Sequence, residues 1–276
     1  MATRFPARLH VLLASEARVG VVIRRGPARA VCSILWDRNS DKFETGQWLR
    51  GRIYERRADL SPDGRYMIYF AMNGRWSSKS RGSWTAVSRA PWLNAVVLWG
   101  KGDCWNGGGL FTSNTRYWLN GDCGHFLMRD SAEVERDTAF RPAASYGGEC
   151  PGVYYVRLQR DGWVLKDKLT AGVSSAFTVF EKPLSSGWIL RKYAHAEVGA
   201  PPGKGCYWDE HELEHPATQR RLLFPNWEWA DLDRNTLVWA EDGCLHRAAL
   251  DAEGLGPARM IFDFNDMTFE RRVAPY

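Results

Sequence analysis

Apolar and polar positions alternate with period two along most of the chain, and turn residues break the alternation at short intervals. Val19 to Arg24 and Ala30 to Trp36 read as strands separated by Arg25, Gly26 and Pro27. Trp48 to Tyr54 and Ala58 to Leu60 follow. Ser61, Pro62, Asp63 and Gly64 then supply the chemistry of a tight turn into Arg65 to Ala71. The same reading gives strands at Trp84–Ser88, Leu93–Trp99, Thr115–Leu119, Val153–Leu158, Trp163–Leu165, Phe177–Glu181, Trp188–Tyr193, Arg221–Phe224, Thr236–Trp239 and Cys244–Ala249. Phe262 to Glu270 reads as a closing strand and turn, with Val11 to Leu13 as its expected partner. No interior segment carries a sustained 3.6-residue period. Arg129 to Gly148 is the least patterned stretch, so residues 129–148 are expected to form a long loop or to hold a short helix around Ser131 to Arg136. No linker interrupts the series, which predicts one all-β domain over residues 1–276, its strands mostly antiparallel.

A weak internal repeat refines this. Ala58, Asp59 and Leu60, then a polar turn and an aromatic-aliphatic strand ending in Ala71, align with Ala230, Asp231 and Leu232, a polar turn, and Thr236 to Ala240. Radial repetition keeps sheet edges short and covered, and roughly 45 to 55 residues per unit would fit about five blades of a small β-propeller into this length. Asp59 and Asp231 hold equivalent positions, which predicts a structural hydrogen bond at each.

Ser61, Pro62, Asp63, Gly64, Arg65 and Tyr66, leading into Ile68, Tyr69 and Phe70, resemble the Ser-Pro-Asp-Gly repeat of TolB-like β-propellers. The resemblance implies a turn joining two strands of one blade. It implies no activity, because propellers host binding, scaffolding and hydrolysis alike. The chain as a whole also resembles bacterial proteins.

Composition supports stacked sheets over a helical bundle: 14 Trp, 10 Tyr and 26 Gly supply flat side chains and turns. The net charge of +5 rests on 29 Arg and 8 Lys, but the arginines are dispersed and most have Asp or Glu nearby. A nucleic-acid binder concentrates such charge in a stripe, so nucleic acid is not the expected partner. Arg52, Glu55, Arg56 and Arg57 are expected to be solvated charges at a strand edge. Six widely spaced cysteines contain no Cys-x-x-Cys, which argues against a zinc knuckle or a redox centre. No stretch reaches transmembrane length, and Leu9 to Ala14 is too short for a secretory signal, so the expected location is the cytoplasm.

Three groups of residues carry candidate chemistry. The glycine-rich run Gly102 to Gly109, with Asn120 to Gly124, resembles a ligand-facing loop system, in which Asp103, Asn106 and Asp122 offer hydrogen bonds and Trp105 a stacking face. Cys104 and Cys123 could staple it. His211, Glu212 and His215 spell His-Glu-x-x-His, which on a helix would present two imidazoles to zinc with the Glu as base. Here Pro216 follows at once and the flanks read as strand, so a charged loop or edge strand is expected and the metal reading depends on those residues being helical. Finally, Ser61, Pro62, Asp63 and Gly64 with Asp59 and Asp231 are expected to serve turns. A Gly-x-Ser-x-Gly nucleophile elbow and a phosphate-loop ending are both missing from the sequence, and no cofactor is expected.

The reading that follows is a non-catalytic module binding a protein or a small polar ligand, with no membrane partner. Two alternatives stand beside it: a carbohydrate-acting hydrolase with a carboxylate cleft near Asp103 and Asp122, and a zinc-dependent hydrolase at His211 and His215.

Overall fold

A computed structural model describes residues 5–26, 29–121, 123–146, 149–168, 177–185, 187–196 and 204–276. Their strands form antiparallel meanders in which chain neighbours are usually sheet neighbours. The first sheet runs β1 (Arg8–Leu13), β2 (Val19–Arg25), β3 (Ala30–Asp37) and β4 (Lys42–Arg50) in that order. The second takes β5 (Arg52–Leu60), β6 (Tyr66–Met72), β7 (Ser83–Arg89) and β8 (Ala95–Gly100), with β11 (Phe126–Arg129) added outside β8. Between β8 and β11 the chain builds a small third sheet from β9 (Gly109–Phe111), β10 (Arg116–Leu119) and β12 (Glu135–Arg136), the last pairing parallel to β10.

A helix, α1 (Pro151–Arg160), precedes the fourth sheet of β13 (Val164–Lys168), β14 (Phe177–Pro183), β15 (Ile189–Ala196), β16 (Tyr207–His215) and β17 (Arg220–Phe224). The fifth contains β18 (Trp229–Asp233), β19 (Thr236–Glu241) and β20 (Cys244–Asp251), with β21 (Gly254–Leu255) and β22 (Arg259–Asp263) both on the far side of β20. The described residues are thus all-β apart from α1. No helix of the described residues is long and apolar enough to cross a membrane.

The chain divides into two compact units. One holds His10–Arg157 and Met267–Tyr276, the other Pro6–Leu9 and Leu158–Asp266. In the first unit β6 is the central element, buried over almost its whole length. Met67, Tyr69 and Ala71 pack with Leu12, Val21, Ile23 and Ile53 in one core. Tyr66 and Ile68 face the other way and pack with Val97, Phe111, Tyr117 and Leu119. A strand covered on both faces needs an apolar residue at nearly every position, and β6 reads Tyr-Met-Ile-Tyr-Phe-Ala-Met. In the second unit aromatic residues dominate: Trp163, Trp188, Phe180 and Phe264 are fully buried, and Trp227 stacks on Trp239 at 4.7 Å between centroids.

The Ser61–Gly64 turn forms as the sequence predicts. The Ser61 hydroxyl donates to Asp63 Oδ1 at 2.6 Å and accepts the Tyr66 amide at 2.9 Å, while Gly64 adopts a positive φ of 76°. Three expectations need correcting. Val153 to Leu158 is helical: Val153, Tyr154, Tyr155, Arg157 and Leu158 are buried, a broad helical face in place of alternation, and Pro151 opens the first turn. Of the two alternatives for residues 129–148, the helix around Ser131 to Arg136 does not form: that segment makes turns and the two-residue β12.

The strand β22 pairs with β20 and not with Val11 to Leu13, because one side of β20 is open to receive it. Within the second unit Ala7 and Leu9 are held by side-chain acceptors instead: Asn265 Oδ1 takes the Ala7 amide and Glu228 Oε2 the Leu9 amide, at 2.9 and 2.8 Å.

Arg56 and Arg57 also depart from expectation, since both are buried. The register shifts between Tyr54 and Asp59, where β5 advances from Tyr54 to Asp59 while β6 advances only from Phe70 to Ile68. This bulge breaks strict alternation and turns two consecutive arginines inward.

Candidate functional site

The glycine-rich loop after β8 and the loop after β10 lie together and are braced by Lys101, Ser83, Arg57, Thr85 and His125. Lys101, almost fully buried, donates from Nζ to Asp103 Oδ2 at 2.9 Å and to the Cys123 carbonyl at 3.0 Å, tying one loop to the other. The Ser83 hydroxyl donates to the Asp103 carbonyl at 2.6 Å and accepts the Gly102 amide. Asp103 Oδ1 receives the Trp105 amide at 2.9 Å, a local turn that fixes the backbone ahead of the indole.

Arg57 completes the bracing from below. Its Nη1 donates to the carbonyls of Cys104 and Asn106, at 2.7 and 2.5 Å, one on each side of Trp105. Its Nη2 pairs with Glu149, its Nε meets Cys150 Sγ at 3.4 Å, and its plane lies against the rings of Tyr54 and Phe70. Burial pushes the Cys150 thiol up, against the pull of Arg57, so it stays protonated beside the guanidinium. Gly108 passes so close to the Arg57 carbonyl that a methyl group there would overlap it.

His125 adds a neutral link. Its Nδ1 lies 2.7 Å from the Gly121 carbonyl, which can only accept, so Nδ1 carries the proton and Nε2 accepts from the Thr85 hydroxyl at 3.2 Å. The same hydroxyl accepts the Gly108 amide at 2.9 Å. Burial lowers the His125 pKa, consistent with the neutral ring this arrangement requires.

Trp105 stands out of this framework with 64% of its surface exposed. A third loop, between β6 and β7, meets the first: Arg81 borders Gly102 and covers the Phe126 ring at 5.0 Å, and Trp76, also exposed, rests on Gly82. Of the four expected ligand residues, Asp103, Trp105 and Asn106 share this cluster, while Asp122 lies outside the described residues. Asp103 spends its carboxylate on Lys101 and the Trp105 amide. Asn106 turns the chain with a φ of 55°. Cys104 and Cys123 are both free thiols, and Lys101 joins the loops in place of a disulfide. Lys101, Thr85 and His125 were not singled out by the sequence, and Arg57 was read there as a solvated edge charge. Each of the four reaches a partner 22 or more residues away, which no local pattern marks.

Asp59 and Asp231 each receive hydrogen bonds from a neighbouring sheet. Asp59, 2% exposed, accepts the Phe111 amide of β9 at 2.8 Å. Asp231 takes Lys182 Nζ at 2.6 Å and Trp163 Nε1 at 3.3 Å.

The His-Glu-x-x-His residues lie on β16, an interior strand between β15 and β17, and not on a helix or an edge. Extended backbone sends His211 and Glu212 to opposite faces, so the zincin geometry does not form. His211 Nδ1 donates to the Trp227 carbonyl at 2.9 Å and its Nε2 meets Lys192 Nζ at 2.8 Å. His215 packs edge-on against Trp188. Glu212 is bound by Arg191, Arg221 and the Tyr193 hydroxyl. Burial would raise its pKa, but those hydrogen bonds and the two arginine charges outweigh it and hold the carboxyl below its usual range. Among the described residues, no three His, Cys, Asp or Glu side chains gather as metal ligands would.

No protein-family model matches the chain, and no curated protein matches it. Among solved structures it is similar to the hydrazine synthase of Kuenenia stuttgartiensis, with 9% identity and a TM-score of 0.33 over 90% of this chain and 78% of that one.

Proposed function

We propose that this protein is a non-catalytic binding module whose contact surface is the loop cluster around Trp105, and that its partner is another protein. One observation carries the reading: a large aromatic side chain is 64% exposed on a backbone whose flanking carbonyls are both clamped by one buried guanidinium. Solvent-facing indole costs hydrophobic free energy, and a rigid support means that little further conformational freedom is lost on contact. Rigid Trp anchors are the residues that most often dominate protein interfaces. Trp76 and Arg81 on the adjoining loop extend the same surface with a second aromatic and a cation.

The test is comparative capture. Wild-type protein and Trp105→Ala are immobilised side by side, exposed to nuclease-treated native lysate at moderate salt, and the bound proteins identified and titrated back as purified partners. A stoichiometric partner whose affinity falls about 30-fold or more with Trp105→Ala supports the assignment. A partner that binds both forms alike removes the loop cluster from its interface.

A further inference from the structure

A second site lies at the Ser61–Gly64 turn, on different residues. A cavity of about 410 Å³ opens there, a size typical of small-molecule pockets. Val19, Leu35 and Ala90 form its apolar wall, and Asp63, Arg65, Tyr66, Arg89 and Glu133 its polar one.

The polar wall is a connected set. Tyr66, 2% exposed, donates its hydroxyl to Glu133 Oε2 at 3.0 Å, and Arg89 Nε donates to the same oxygen at 2.9 Å. The hydrogen bond from Arg89 is the main reason Glu133 is held below its usual pKa, so it is ionised at neutral pH. Glu133 therefore holds Arg89 by one edge, while the Tyr276 ring supports the guanidinium face at 4.5 Å. Among the described residues neither Nη group of Arg89 has a hydrogen bond to protein. Arg65 is similarly open: Nη2 reaches the Tyr66 hydroxyl at 3.3 Å, and Nη1 lies 3.8 Å from Asp63, beyond hydrogen-bond length. Asp63 Oδ1 is occupied by the Ser61 hydroxyl and the Arg65 amide.

Two guanidinium groups with unused donors thus border a cavity whose other wall is apolar. We infer that this cavity binds a small organic carboxylate, with its carboxylate between Arg65 and Arg89 and its apolar body against Val19, Leu35 and Ala90. Guanidinium donors suit the two oxygens of a carboxylate. The charge count selects a monoanion: the two arginines face two carboxylates, Asp63 and Glu133, so the pocket is close to neutral and a phosphate dianion would meet repulsion from both.

The experiment is calorimetric and NMR titration of the full chain with benzoate as the probe, beside benzamide and phenyl phosphate. Saturable benzoate binding in the millimolar range is expected, with no saturation by benzamide and no tighter binding of phenyl phosphate. Arg89→Gln and Arg65→Gln should each weaken benzoate about fivefold to tenfold, as loss of a charge-assisted hydrogen bond does. The Arg65 side chain is 64% exposed, so Arg65→Gln should keep its melting temperature and serves as the decisive variant if Arg89→Gln unfolds. Trp105→Ala should titrate as wild type, which separates this site from the loop cluster. The inference is overturned if benzoate fails to saturate, if Arg65→Gln binds it unchanged, or if phenyl phosphate binds more tightly.

Discussion

The β5–β6 and β18–β19 hairpins share the sequence Ala-Asp-Leu, yet their aspartates are held by different chemistry. Asp59 accepts a backbone amide from β9, a donor that any residue at position 111 except proline would supply. Asp231, besides the adjoining Leu232 amide, accepts an ammonium and an indole, donors that only Lys182 and Trp163 provide. The geometric task is the same in both, attachment of a hairpin to an adjacent sheet. Its energetic character differs. The Asp59 contact is buried and uses a neutral donor, whereas Lys182 and Asp231 retain 17% and 14% of their side-chain exposure and form an ion pair reached by dissolved salt. A repeated residue therefore identifies a position in the architecture without identifying its partner.

The largest effect should come from Asp59→Ala, which strands the Phe111 amide in the core. We expect a loss of about 3 kcal/mol by urea denaturation, and a loss below about 1 kcal/mol would mean that water replaces the carboxylate. Next comes the acid response of β5. Burial opposes ionisation of Glu55, but Arg25, Arg52 and His10 more than compensate, placing its pKa at about 2 against an ordinary 4.5. A depressed carboxyl stabilises the fold above its unfolded value, and that contribution drains away as pH falls from 4.5 toward 2. Glu55→Gln should be less stable than wild type at neutral pH and lose less on acidification over that window, which pH-dependent melting would record. Parallel slopes would remove Glu55 from the acid response.

Lys182→Met should cost about 1 kcal/mol, and added salt should narrow its gap from wild type more than it narrows the Asp59→Ala gap, because the Asp59 contact is the more deeply buried. Equal salt responses would erase the distinction between the two hairpins. Asp231→Asn should have the smallest effect, under about 1 kcal/mol, because an amide oxygen can still accept from the Trp163 indole and the Leu232 amide.

Features encoded by near neighbours were legible in the sequence. The Ser61–Gly64 turn is fixed by contacts within five residues, and the extended character of β16 follows from Pro216 and its strand-like flanks. Features that depend on remote partners were not. Arg57 reads as a surface charge until Cys104, Asn106 and Cys150, 47 to 93 residues away, close around it. The bulge that buries it leaves no mark of its own in the residue pattern. At α1, β-branched and aromatic residues at 153 to 156 favour a strand locally, and packing of the 153, 154, 155, 157 and 158 face overrides that preference. At the loop cluster, the exposed indole was legible because Trp105 stands within the glycine-rich run from Gly102 to Gly109, whereas its supports were not.

The β5 bulge also limits which changes of chain length a descendant of this sequence could survive. From Tyr54 to Asp59 the strand carries an odd surplus of residues over its partner β6. Substitution at one of these sites alters a single contact. Deletion of one residue would invert every later position of β5, drawing Asp59 off the Phe111 amide and exchanging inside for outside as far as Leu60. Insertions and deletions should therefore be purged from this segment while remaining tolerable in the exposed Pro216–Gln219 turn, a contrast in gap frequency rather than in residue identity.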